Sequence, residues 1–132
     1  MTRRILVADT PLADRRLAAI LSGYELVFER TLDAAGRALA GPRFDIVLVG
    51  VHFDESRMFD LLRQLRTTAP HAGLPVVCVR SHQFVSPAIT IEGLEIAAKA
   101  LGCKLFLDLT KYSDDAQGNA EVRRLLDGLL AP

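Results

Sequence analysis

Few side chains in this 132-residue sequence have the types and spacing that chemistry needs. Asp9 and Thr10 close a short apolar run, Ile5–Ala8, and offer one carboxylate and one hydroxyl. A carboxylate oxygen is a hard ligand suited to magnesium, but a single one holds the ion weakly. Asp54, Glu55 and Asp60 follow a third apolar run that ends at Gly50, itself without a side chain. Asp54 falls where a helix would begin, so it is expected to cap that helix and complement its dipole, with Glu55 and Ser56 in the same turn. Arg80 ends a fourth run and Lys111 follows a fifth. His52 and His82 flank the ends of two runs, and His71 lies in a Pro-His-Ala-Gly turn. Metal binding needs converging ligands and catalysis an activated partner, and neither constellation is visible, so ordinary loop histidines are expected.

Other reactive patterns are missing. The turn after the first run reads ADTPLAD, without the closely spaced glycines that cradle nucleotide phosphates. No serine nucleophile elbow occurs, so the sequence gives little support to an enzyme, and no cofactor or metal is expected. Cys78 and Cys103 lack the paired spacing of zinc or redox motifs and are expected to be buried, reduced thiols. Sixteen basic residues balance sixteen acidic ones, which removes the main electrostatic support for nucleic-acid binding. The apolar run behind Met1–Arg4 stops at Ala8, too short for a signal-peptide core or a membrane span, so a cytoplasmic protein is expected.

The elements that position these residues follow from periodicity. Ile5–Ala8, Glu25–Phe28, Asp45–Val49, Pro75–Val79 and Leu105–Leu107 are short, apolar and too brief for helices. Between them lie helical stripes: Ala13, Leu17, Ile20 and Leu21; Ala34, Ala35, Ala38 and Leu39; Met58, Leu61, Leu62 and Leu65; Ile91, Leu94, Ala98 and Leu101; Val122, Leu125, Leu126 and Leu129. Gly102 stands where a helix C-terminus favours glycine, while Ser86 and Pro87 offer a cap and first-turn proline for the fourth helix. Five strand–helix alternations argue for a parallel sheet covered on both faces. With right-handed crossovers, the economical doubly wound order is 2-1-3-4-5, the flavodoxin-like arrangement. Its winding reverses between strands one and three, which brings Asp9, Thr10 and Gly50 to the crevice. No repeat, low-complexity tract or linker divides the chain, so one domain over residues 1–132 is expected.

ILVADTPLADRRLAAIL (Ile5 to Leu21), FDIVLVG (Phe44 to Gly50), LPVVCVRS (Leu74 to Ser81) and LGCKLFLDL (Leu101 to Leu109) follow one another in the order and approximate spacing of a known family. On these motifs the chain resembles the response-regulator receiver domains, the CheY-like fold, over nearly its whole length. The resemblance implies an acidic pair after strand one, a phosphoacceptor aspartate after strand three, a Ser or Thr after strand four and a lysine after strand five. The corresponding residues are Asp9 with Thr10, Gly50, Arg80 and Leu109, so one of the five usual groups remains. A degenerate pseudo-receiver is expected. Phosphoryl transfer needs metal and lysine to neutralise developing charge, and here acceptor and lysine are both missing.

Several positions keep alternatives open. Arg80 either reaches across the pocket to Asp9 or Asp54, locking one conformation, or points to solvent. Asp54 either caps the third helix or serves as a displaced acceptor. Lys111 enters the pocket on a bulge or sits on a solvated loop. Phe106 matches the family's aromatic switch position or is a half-buried strand aromatic. The connection from Ser81 to Ile91 carries Phe84, Val85, Ile89 and Ile91, apolar content suited to covering the pocket, extending the fourth helix or meeting a partner.

The resulting expectation is a phosphorylation-independent interaction module in bacterial-type signal transduction. The resemblance implies a protein partner, or a second copy in a homodimer, on the face of helix four, strand five and helix five, with no nucleic-acid or membrane partner. The rivals are a small-ligand sensor in the switch-point crevice and a divergent phosphoacceptor using Asp9 or Asp54. The sequence shows no effector domain, so the chain either works alone or has been separated from one.

Overall fold

Alternate residues of a strand point to opposite faces, and here both sets are apolar. That pattern suits a strand covered on both sides. The computed structural model describes residues 2–82 and 90–130. Its strands are β1 (Arg4–Ala8), β2 (Glu25–Glu29), β3 (Ile46–Gly50), β4 (Val76–Arg80) and β5 (Leu105–Asp108). All pair in parallel as one sheet in the order β2-β1-β3-β4-β5. The expected doubly wound order is therefore observed.

The helices are α1 (Asp14–Ile20), α2 (Leu32–Leu39), α3 (Met58–Thr67), α4 (Ile91–Ala100) and α5 (Ala116–Asp127). Ile5 and Val7 of β1 pack with Leu17, Ile20, Val122 and Leu126, against α1 and α5. Leu6 and Ala8 pack on the other face with Ala35, Leu61, Leu65, Leu94 and Ala98, against α2, α3 and α4. The stripes of α1 and α3 are buried throughout. On α5 only part of the expected stripe turns inward: Val122 and Leu126 are buried, whereas Leu125 faces solvent.

Helix ends depart from expectation at two places. Thr90 caps α4, its hydroxyl accepting from Gly93 N at 2.9 Å, while the Ser86–Pro87 start falls outside the described residues. Gly102 does end α4, with φ +99, a conformation open to glycine. Asp54 does not cap α3, whose first turn has no side-chain cap. Asp54, Glu55 and Ser56 all adopt left-handed backbone, φ 44, 56 and 69, which L-residues adopt at a cost. That turn sends the Asp54 carboxylate back to accept from Leu32 N at 2.7 Å, at the start of α2. The residue satisfies a helix N-terminus, but the one 22 positions earlier in the chain.

Candidate functional site

The crevice lies at the carboxyl ends of the strands, where the winding reverses between β1 and β3. Ala8 stands opposite Val49, so the next residues, Asp9 and Gly50, come alongside. A Cβ on Gly50 would stand 1.9 Å from Asp9 Oδ1 and 2.0 Å from its Cγ. The Asp9 carboxylate thus fills the space that any Gly50 side chain would need. Asp9 is 3% exposed, and its Oδ1 accepts from Thr10 N at 2.7 Å. Among the described residues, neither its Oδ2 nor Thr10 Oγ1 has a hydrogen-bond partner. Burial pushes the Asp9 carboxyl up from the ordinary 3.8 to about 6, against the pull of the Thr10 N–H and the Arg30 guanidinium. Arg30 itself is held by the Asp9 backbone carbonyl at 3.0 Å and by an ion pair with Asp14.

Arg80 neither reaches Asp9 or Asp54 nor points to solvent. Its Nη1 donates to Asp108 Oδ2 at 2.9 Å and Thr110 Oγ1 at 3.0 Å. The reason is register: Arg80 and Asp108 are directly opposed on β4 and β5, so their side chains leave the sheet on one face. Both are largely enclosed, with side chains 12% and 9% exposed. Thr110 donates its N–H and hydroxyl to Asp108 Oδ1 at 3.0 and 2.6 Å. Burial raises the Asp108 carboxyl, but the Thr110 hydroxyl and Arg80 outweigh it and hold the pKa below the usual value. The pair was legible in principle, because each residue ends an apolar run and the two runs are neighbours in the doubly wound order.

Leu109 is fully buried, in the layer with Val79 and Leu107. Lys111 is exposed at the end of a 3-10 turn, Leu109–Lys111. Phe106 is 8% exposed and packs in the core with Cys78, Leu94, Ala98 and Cys103. Ser81 hydrogen-bonds His82 Nδ1 at 2.9 Å. Phe84, Val85 and Ile89 lie outside the described residues.

His52 and His82, expected to be ordinary loop histidines, stack their rings with centroids 4.7 Å apart. Burial, then His82 and Arg80, lower the His52 pKa and favour its neutral form at neutral pH. Stacked rings do not converge on an ion, and no group of three metal-ligating side chains occurs among the described residues. Nothing in the spacing of two loop histidines signals their contact, since it depends on β3 and β4 being neighbours.

No protein-family model matches the sequence, and no curated protein matches it. Solved structures do match over almost the whole chain. A chemotaxis protein CheY4 from Vibrio cholerae superposes with a TM-score of 0.75 at 16% identity, covering 98% of this chain and 100% of that one. A response regulator from Thermotoga maritima gives 0.73 at 15% identity, covering 98% of both chains. The phosphorylated cyanobacterial phytochrome response regulator RcpA gives 0.72 at 15% identity, over 98% of this chain and 91% of that one. The fold is thus the CheY-like receiver fold, and its switch-point crevice is built from Asp9, Thr10, Gly50 and their neighbours.

Proposed function

We propose that the protein is a receiver-like interaction module in signal transduction, one that binds its partner without being phosphorylated and is not an enzyme. The observation that carries this reading is the Asp9 carboxylate lying over the α-carbon of Gly50, 1.9 Å from where a Cβ would be. The position that the receiver resemblance gives to the acceptor then has neither a carboxylate nor room for one. Two further contacts favour the same conclusion. Arg80 is engaged with Asp108 and Thr110, and buried Leu109 stands at the lysine position, so neither offers a free cation to a transferred phosphoryl group.

Asp54 is a poor substitute acceptor, because its carboxylate is engaged at the start of α2. The partner surface is assigned to α4, β5 and α5, where Ile96 and Leu125 are exposed at 64% and 41%. A protein partner or a second copy of the chain would cover these residues. Cytoplasmic placement belongs to the same proposal. No helix among the described residues is long and apolar enough to cross a membrane.

The test is incubation of the folded protein with magnesium and a small acyl phosphate or phosphoramidate, followed by intact-mass measurement. An unchanged mass, with partner binding equal in treated and untreated samples, is expected. A phosphoryl adduct removed by Asp9→Asn or Asp54→Asn would overturn the proposal.

A further inference from the structure

The amino ends of β3 and β4 lie at the opposite edge of the sheet from the Asp9–Gly50 crevice, and a second hollow opens there. Its volume is about 460 Å³, within the range of roughly 300–1,000 Å³ typical of small-molecule sites. One wall is the C-terminal end of α2 with Arg43 and Phe44 behind it. The other is the connection between α3 and β4, with His71, Gly73 and Leu74. Each wall is held by contacts of its own. Arg4 donates to Pro42 O at 2.7 Å and lays its guanidinium over the Phe44 ring, 4.2 Å from the centroid. His71 N donates to Thr68 O at 2.9 Å, and Leu74 N donates to His71 O at 3.0 Å, which closes the other turn. Leu39 and Phe44 are buried and Leu74 packs against the same core, so the apolar lining is continuous with the packed interior.

The charges at this hollow are of one sign. Among the described residues, the exposed Arg43 guanidinium has no hydrogen-bond or ion-pair partner. No carboxylate lines the hollow. Asp45, two residues beyond Arg43, is already taken: it accepts from Arg4 N at 2.8 Å and stands 3.8 Å from Arg3. A smaller hollow of about 260 Å³ shares His71, Gly73 and Leu74 and adds Arg66 and Lys104, again without a carboxylate. Basic groups around a concave, partly apolar surface focus a positive potential on it and favour an anion.

We propose that the hollow between α2 and the α3–β4 connection is a binding site for a small aromatic carboxylate. The ring lies against Leu39, Phe44 and Leu74, where it removes apolar surface from water and meets the Phe44 ring in an offset or edge contact. The carboxylate meets the Arg43 guanidinium, whose planar fork matches its two oxygens, and the His71 imidazole supplies a further N–H donor. A rigid ring suits a preformed hollow better than a flexible chain, because it loses less conformational freedom on binding. The bound acid would bridge α2 to the α3–β4 connection. Neither wall belongs to the Asp9–Gly50 crevice or to α4, β5 and α5, so the site stands apart from the proposed partner surface.

The test is titration of the isotope-labelled full chain with naphthoate at neutral pH, followed by amide NMR. Saturable shifts are expected at Gly41, Phe44 and Gly73, with a Kd on the order of 1 mM or tighter, and none at Asp9 or Gly50. Naphthamide has nearly the same shape without the charge and should bind about fivefold more weakly, or worse. Arg43→Ala, a change at an exposed side chain, should weaken naphthoate binding by a similar factor. Gly73→Leu provides a second variant. A Cβ at Gly73 meets nothing within 4 Å, so the fold accommodates the side chain, which takes up part of the hollow and should abolish saturation. Absent or unsaturable shifts at the three amides, shifts confined to the crevice, equal binding of naphthamide, or undiminished binding of naphthoate to either variant would each overturn the proposal.

Discussion

Among the described residues, Asp9 has one backbone N–H as hydrogen-bond partner for its carboxylate, and it is buried beside the bare α-carbon of Gly50. Burial penalises its charged form, so the folded state holds the proton more tightly than the unfolded chain does. With the pKa raised from 3.8 to about 6, the stabilisation is fully present below about pH 4 and is lost as pH rises through 6. At about 1.4 kcal/mol per unit, the loss is on the order of 2–3 kcal/mol. Asp9→Asn removes the titration. Denaturant unfolding should find the variant more stable than the natural protein at pH 7.5, with the difference disappearing by pH 4. Equal pH profiles for the two proteins would show that Asp9 is not enclosed as described. The receiver resemblance implied a single carboxylate, Asp9, where the family has a pair. The residue types did not announce that this carboxylate lies over the glycine, because that contact depends on the register of β1 with β3.

At the scale of elements, the ends of β4 and β5 are clamped by Arg80, Asp108 and Thr110. A buried ion pair costs desolvation energy, and its loss matters most when a single partner is removed and the other charge is left uncompensated. Arg80→Ala is therefore expected to destabilise the fold by about 3 kcal/mol, moderated by the two Thr110 bonds that Asp108 retains. The double change Arg80→Met with Asp108→Leu should recover most of that loss in chemical denaturation. An Arg80→Ala protein as stable as the parent would refute the clamp. Strand and helix types were readable because apolar runs and stripes have different periods. Caps were less so. Asp54 has the right chemistry for a helix N-terminus and serves a different one, in a turn of three left-handed residues that directs its carboxylate to Leu32 N.

For the whole molecule, burying both sheet faces leaves few large apolar side chains outside, and Ile96 on α4 and Leu125 on α5 are among them. Neither contributes to the core, so Ile96→Glu and Leu125→Glu should change unfolding free energy by no more than about 0.5 kcal/mol. Under the proposed function they should abolish partner capture, or self-association in analytical ultracentrifugation if the partner is a second copy. Retained association in the double variant would assign the interaction to another face. By itself the sequence determined the element order, the doubly wound class and the two core faces. These depend on residue type and on periods of two and about 3.6, which are local properties. Only the tertiary structure decided which groups meet: Asp9 with Gly50, Arg80 with Asp108, and His52 with His82. Each of these pairs joins different strands or the loops beside them, and the register that aligns them is set by packing across the whole sheet rather than by any one segment.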